Sequence, residues 1–319
     1  MKTAVIGVGH LGKIHARIVN ENPNVTLAAV VDSVPEAAKE VGELYGVPYF
    51  TRVEDVIPLI DAAHVVVPTT MHYEIAKKLL EAGKHVLLEK PMTNTVAQAD
   101  ELLKKAHEKG LVLQVGHVER FNPAIIGIQK VLKKPIFIEV HRLSPFNPRG
   151  TEVSVVFDLM IHDIDIILHL VKSEVTEVKA VGVPVLTKTS DIANVRLAFA
   201  NGCVANVTTS RISAERMRKI RFFQDDAYIS LDYVAQNAKI KHRREWQIIE
   251  EEIKFSGDQP LQSEIQSFLD SVKGHHDPAV TGEDGRDALR VATMVEEAIQ
   301  EHLKHLKELR PESHLPGEN

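Results

Sequence analysis

Near its start the chain runs an apolar segment, residues 4–6, straight into Gly7-Val8-Gly9-His10-Leu11-Gly12. A second apolar run, residues 27–31, then closes on an acid, Asp32, twenty positions after Gly12. Few folds accommodate that order. Gly7 allows a tight turn after a strand, Gly9 lets backbone approach a pyrophosphate, and Gly12 lets the next helix pack closely on the strand. Val8, His10 and Leu11 complete the loop and the first helical turn, whose free N–H groups and dipole favour an anion. Asp32 stands where an acid bonds a ribose diol and repels a 2′-phosphate, and Ser33 beside it brings no positive charge. The arrangement predicts a dinucleotide site that takes NAD rather than NADP.

The same grammar continues to about residue 115. Apolar runs at 4–6, 27–31, 64–67, 85–88 and 111–115 are short, rich in β-branched residues and unbroken by Lys, Arg, Asp or Glu, as strands buried on both faces read. Helical patterns at 35–45, 71–82 and 95–109 lie between them, with Gly83 and Gly110 placed to stop helices. That alternation predicts an α/β, doubly wound parallel sheet. Beyond residue 120 the pattern changes to one long helix, 153–171, and then to runs suited to antiparallel strands at 192–200, 203–210, 217–224 and 227–232. Asn201-Gly202 predicts a type I′ hairpin turn. Helices resume at 261–272 and 284–309. The expected division is a nucleotide domain at 1–119, an α+β substrate and oligomerisation domain at 120–309 and a flexible tail at 310–319.

Bulk properties narrow the classes. A chain of 319 residues with 44% hydrophobic and 26% charged residues suits a soluble protein of two domains. Its net charge of −6 argues against a general nucleic-acid binder. Cys203 is the only cysteine, so neither a disulfide framework nor a cysteine metal site is expected, and a reducing cytoplasm fits. The first apolar run is too short for a signal peptide or a membrane span. No metal is expected.

Two strand ends carry residues suited to chemistry. Pro68-Thr69-Thr70-Met71-His72 follows the third run and would bring hydroxyls and amides to the cofactor. Glu89-Lys90-Pro91 follows the fourth, where proline stops the strand and holds Lys90 at the rim; the plainer alternative is an ordinary exposed lysine. In the 153–171 helix, Asp158, His162, Asp165 and His169 fall within roughly 60° of one another, while Asp163 points elsewhere. That stripe either faces solvent or lines a polar cavity, with Asp158 tuning His162 towards acid–base work. Tyr73-x-x-x-Lys77 copies a catalytic pair of short-chain dehydrogenases but falls in the wrong helix, and Lys77 reads as a solvated residue.

Taken together, Gly7–Gly12, Pro68-Thr69-Thr70-Met71-His72, Gly83-Lys-His-Val-Leu-Leu-Glu89-Lys90-Pro91 and Asp158-x-x-x-His162-x-x-Asp165 resemble the glucose–fructose oxidoreductase / inositol dehydrogenase / MocA (Gfo/Idh/MocA) family over nearly the whole chain. The resemblance implies a Rossmann domain followed by an α+β domain with an open, mostly antiparallel sheet whose outer face builds dimers or tetramers. It implies that Lys90, Asp158 and His162 form the catalytic group, with Lys90 touching both cofactor and reacting hydroxyl, and that the Lys90-Pro91 bond is cis. Thr70 stands where members often carry Asn. Gly116-His117-Val-Glu-Arg120-Phe-Asn122-Pro123 resembles the branch acting on nucleotide sugars, UDP-N-acetylglucosamine 3-dehydrogenases among them. On that basis His117, Arg120, Asn122 and Arg149 join the substrate contacts, while Arg142 and Arg211 read as surface arginines. The expected activity is NAD-dependent oxidation of a secondary hydroxyl of a sugar or nucleotide sugar. The alternatives are an inositol or free-sugar dehydrogenase and a non-catalytic NAD-binding regulator. A methyltransferase would have no use for Glu89-Lys90-Pro91.

Overall fold

The computed structural model describes residues 1–147, 153–244, 247–257 and 259–309. Arg149 and the expected tail, 310–319, lie outside the described residues. The chain forms two compact units: Met1–Phe121 with Gln259–Leu289, and the described parts of 122–258 and 290–319.

In the first unit, strands β1 (Lys2–Ile6), β2 (Thr26–Val31), β3 (Tyr49–Phe50), β4 (Ala62–Val65), β5 (His85–Glu89) and β6 (Leu113–Gly116) make one sheet in the order β3-β2-β1-β4-β5-β6. Every pairing is parallel. Helices α1 (His10–Glu21), α2 (Pro35–Tyr45), α3 (Val53–Val56), α4 (Thr69–Glu81) and α5 (Val96–Lys109) make the crossovers. Local chemistry fixes their ends. Pro35 opens α2, and Gly46 closes it in the left-handed region at φ 66°. Thr95 caps α5 by accepting the Gln98 N–H, and Gly110 closes it at φ 61°. The direction of the crossovers reverses between β1 and β4, and ligands of such sheets bind beyond the carboxyl ends of those strands.

In the second unit, α6 (Pro123–Ile128) and α7 (Ile161–Val171) accompany an eight-stranded sheet. Its strands are β7 (Phe137–Leu143), β8 (Val175–Val183), β9 (Ile192–Phe199), β10 (Val204–Ser210), β11 (Met217–Gln224), β12 (Ala227–Asp232), β13 (Asn237–Arg244) and β14 (Gln247–Lys254). Their order is β14-β13-β12-β11-β7-β10-β9-β8, antiparallel except where β7 runs parallel to β10. The sequence patterns missed β3, β7, β8, β13 and β14. β3 is two residues long, and β7 interleaves Glu139, His141 and Arg142 with its apolar positions. Along β13 and β14 charged side chains outnumber apolar ones, and opposite charges meet across the ladder as in Lys241–Glu250 at 3.0 Å. The expected type I′ turn is also replaced. Gly202 alone in that loop takes positive φ, at 86°, and its N–H bonds the Phe199 carbonyl. Since Asn201 keeps negative φ, the loop is the three-residue kind with glycine in the left-handed position.

Helices α8 (Pro260–Val272) and α9 (Gly282–Leu309) follow. The expected boundary at 119/120 gives way to one at 121/122, and residues 259–289 belong to the first unit instead of the second. Their apolar side chains explain this. Ile265, Phe268 and Leu269 are fully buried in one cluster with Val5, Val19, Leu27 and Leu87 of the parallel-sheet core. The Gln114 side-chain amide donates to the Glu264 carbonyl at 3.0 Å. Among the described residues no helix is long and apolar enough to cross a membrane.

Candidate active site

The loop between β1 and α1 is shaped by what its glycines exclude. Gly7 has φ +87°, and a Cβ on it would stand 2.3 Å from the Val66 carbonyl oxygen. A Cβ on Gly12 would stand 1.8 Å from the Gly7 carbonyl oxygen. Over Gly9 there is nothing within 4 Å, so the backbone is bare on the side a ligand approaches. No side chain caps α1 and no acid lies in its first turn, which leaves the N–H groups to an anion. Asp32 takes N–H bonds from Val8 at 2.8 Å and from Val34 at 2.9 Å, one on each oxygen. A cavity of about 190 Å³ is lined by Gly7, Gly9, Asp32, Ser33 and Pro68, together with Thr51, Val53, Met71 and Ile75. The residues present therefore fit a dinucleotide: glycine amides for its phosphates, Asp32 for a ribose diol, and apolar side chains beside them. Thr51 and Val53 escaped sequence reading because β3 is too short to announce itself. His10 and Leu11 are exposed, whereas Val8 and Gly12 are buried supports.

The ends of β4 and β5 are more constrained than their motifs suggested. Pro68 and Thr70 are exposed and Thr69 is half-buried. His72, expected at the cofactor, is 1% exposed. Its Nδ1 lies 2.8 Å from the Pro91 carbonyl oxygen and its Nε2 2.8 Å from that of Val67. Burial lowers the pKa of His72, against the opposing pull of both carbonyls and of Glu89. Glu89, also expected at the cofactor, turns inward: its Oε1 is 3.3 Å from Nε2 of buried His15. Lys90 is half-buried at the strand end, and its peptide bond to the buried Pro91 is cis. The decoy pair is spoken for. Lys77 Nζ donates to Tyr73 Oη at 3.1 Å and pairs with Glu101 of α5 at 2.9 Å.

In the run at 116–123, Gly116, His117, Arg120, Phe121 and Asn122 are buried. His117 is fully buried, and Arg120, 6% exposed, lies 3.4 Å from Asp284. Asn122 caps α6, its Oδ1 accepting the Ala124 N–H at 3.0 Å. Arg142 and Arg211 are not surface residues either. Arg142 gives Nε and Nη2 to the two oxygens of Asp163 at 2.6 and 2.9 Å, both side chains being buried. Arg211 Nε donates to Asp191 at 2.9 Å.

In the second unit the expected regular helix begins with a π-helical turn, Val156–Met160, before α7. Such turns widen the helix and often mark functional positions. Asp158 sits on that turn and His162 one turn on, both half-buried. The rest of the stripe divides: Asp165 is interior at 1% exposure, and His169 bonds the Gln129 side chain at 3.0 Å.

A 3-2-1-4-5-6 parallel sheet, a glycine loop open over Gly9 and an acid at the end of β2 together define a Rossmann dinucleotide-binding protein. Comparison with known proteins agrees. Residues 1–117 match the family model described as "Oxidoreductase family, NAD-binding Rossmann fold", and residues 137–230 match the "GFO/IDH/MocA C-terminal domain". The chain belongs to the Gfo/Idh/MocA oxidoreductase family, with NAD as its cofactor. It is 36% identical over 311 residues to the UDP-N-acetylglucosamine 3-dehydrogenase of Acidithiobacillus ferrooxidans, covering 95% of this chain and 99% of that protein. The crystal structure of that enzyme superposes with a TM-score of 0.91. The myo-inositol 2-dehydrogenase of Thermotoga maritima is 26% identical over 94% of this chain and 97% of its own. The scyllo-inositol dehydrogenase of Lactobacillus casei, solved with NAD(H) and scyllo-inositol, shares the fold at a TM-score of 0.81 and 22% identity, over 95% of this chain and 97% of that one.

Proposed function

We propose that the protein oxidises the 3-hydroxyl of UDP-N-acetylglucosamine with NAD. The observation that carries this reading is the 36% identity to a UDP-N-acetylglucosamine 3-dehydrogenase, sustained over 95% of the chain. Gly7, Gly9 and Asp32 hold the cofactor, together with Ser33 and Pro68. When bound, NAD supplies the acceptor for the hydrogen and electron pair that leave the carbinol carbon. His162 accepts the hydroxyl proton with Asp158 orienting its ring, and Lys90 stabilises the developing alkoxide. The enzyme works in the cytoplasm. Copies associate through the outer face of the eight-stranded sheet, where Val181, Val183 and Phe223 stay exposed.

Purified protein incubated with NAD and UDP-N-acetylglucosamine should generate nicotinamide absorbance at a rate that the Lys90→Met and His162→Ala variants lose by about 10²-fold or more. Mass spectrometry should find a product two hydrogens lighter. Turnover of myo- or scyllo-inositol but not of the nucleotide sugar would support the second reading, an inositol dehydrogenase, which the Thermotoga relative favours. Full activity of Lys90→Met would overturn the role given to Lys90.

A further inference from the structure

Lys90 stands between two residues whose polar groups face buried histidines. Before it, the Glu89 carboxylate faces His15, with Oε1 3.3 Å from Nε2. That carboxylate lies over the bare Cα of Gly116 on the adjacent strand; a Cβ there would come within 2.8 Å of Oε1 and 3.0 Å of Oε2. His15 is itself backed by His64, their Nδ1 atoms 3.2 Å apart. After Lys90, the Pro91 carbonyl is 2.8 Å from His72 Nδ1, and the same ring reaches the Val67 carbonyl at 2.8 Å. One imidazole thus stands between the end of β5 and the end of β4; a neutral ring donates from one nitrogen, and the Nδ1–H tautomer holds the Pro91 carbonyl. His15, His64 and His72 are at most 1% exposed, so none of them presents a surface to a ligand.

A carboxylate oxygen accepts, so the His15 tautomer that suits this 3.3 Å contact carries its proton on Nε2. In that tautomer Nδ1 is the acceptor, and His64 donates to it from its own Nδ1. A histidine pair buried beside an apolar core is costly unless it does this kind of work.

We infer that His15 and His72 are positioning residues for Lys90, one holding the carboxylate before it and the other the carbonyl after it, and that neither meets the cofactor. This rests on the role given to Lys90 above. A lysine stem has four rotatable carbons, so the place of its ammonium depends on where its own backbone is held. Misplacement by about 1 Å is enough to cost about 10²-fold in rate.

The test compares His72→Leu, His72→Gln, His15→Leu, His15→Gln and Gly116→Ala with the full-length enzyme. For each, thermal melting reports folding, calorimetry gives the NAD Kd, and initial rates give kcat and KM. The leucine variants should lose about 10- to 100-fold in kcat, with NAD Kd unchanged within about twofold, and the glutamine variants should recover part of that loss through their N–H donors. Gly116→Ala displaces the carboxylate without touching either histidine and should lower kcat in the same way. In ¹H–¹⁵N spectra of the protein without cofactor, His15 should show the Nε2–H tautomer, and Glu89→Gln should shift its resonances. A folded His72→Leu with unchanged kcat, a loss of NAD affinity that tracks the loss of kcat, or a His15 protonated on Nδ1 would overturn the inference. Lys90→Met separates the two claims. If it is inactive while His72→Leu is fully active, only the positioning role falls; if it is fully active, the catalytic role of Lys90 falls and takes the positioning role with it.

Discussion

At the scale of single residues, Asp32 has a place that the sequence announced only in part. As an acid after β2 it is the residue proposed to select against a 2′-phosphate; as the acceptor of the Val8 and Val34 N–H groups it also pins the glycine loop. Asp32→Ser should lower kcat/KM for NAD by about 10- to 100-fold, the worth of one charge-assisted bond, and narrow the preference over NADP. Initial rates with both cofactors measure this, and an unchanged preference ratio would remove Asp32 from the specificity argument. Asp191 is a second residue whose charge is built in. Burial opposes its ionisation, but the N–H groups of Leu186, Thr187 and Val185 and the Thr187 hydroxyl bring its pKa down from 3.8 to about 2. Because the folded value is the depressed one, its stabilisation is complete above pH 3.8 and is lost as pH falls through about 2. The amount is on the order of 2 kcal/mol. Denaturant titrations between neutral pH and pH 2 should show a smaller acid loss in Asp191→Asn than in the parent.

At the scale of elements, buried ion pairs hold α7 and the loop before β9 to the eight-stranded sheet. Asp163 of α7 and Arg142 of β7 meet through two parallel bonds, with the Tyr233 ring 5.7 Å from the guanidinium. Removing one partner strands a charge in the interior. Arg142→Met is expected to destabilise by about 3–5 kcal/mol, and Arg142→Met with Asp163→Leu to regain most of it. Additive losses in urea melts would show that the two side chains act independently. The pair also accounts for why Asp163 departs from the Asp158/His162 side of the helix: a carboxylate there has an arginine to meet.

At the scale of the whole molecule, the parallel-sheet unit is assembled from two separated stretches of chain. Ile265, Phe268 and Leu269 come from beyond the second unit's sheet in sequence, yet complete a core begun by Val5 and Val19. A fragment ending at residue 121 should therefore expose apolar surface, bind a hydrophobic dye and melt without cooperativity. Adding a peptide of residues 259–289 should restore a cooperative transition. A sharp unaided melt of the fragment would mean that α8 is dispensable to the unit. Within the full chain, Phe268→Ala should cost about 3–5 kcal/mol, as expected for emptying an aromatic site in a packed core.

What the sequence determined by itself were the features written in local chemistry. Strands buried on both faces leave unbroken apolar runs, Gly7 and Gly12 mark close approaches with no room for a Cβ, and Gly83 and Gly110 end helices in the left-handed region. Lys90, Asp158 and His162 were visible as polar residues beside apolar runs, although their roles were not. The tertiary structure decided whatever depends on partners distant in the chain. His117, Arg120 and Asn122 read as substrate contacts through the resemblance of their run to a nucleotide-sugar branch; that Arg120 also meets Asp284 shows only in the fold, because Asp284 lies far away in sequence. Arg142 and Arg211 read as surface residues because a lone arginine gives no sign of a buried acid waiting for it. β13 and β14 are strands by virtue of the ladder between them, their charged side chains outnumbering the few apolar ones that would mark an alternation. His15, His64 and His72 stand alone in their own segments; only folding brings them to the residues flanking Lys90, because a hydrogen bond is a fact about two places in the chain at once.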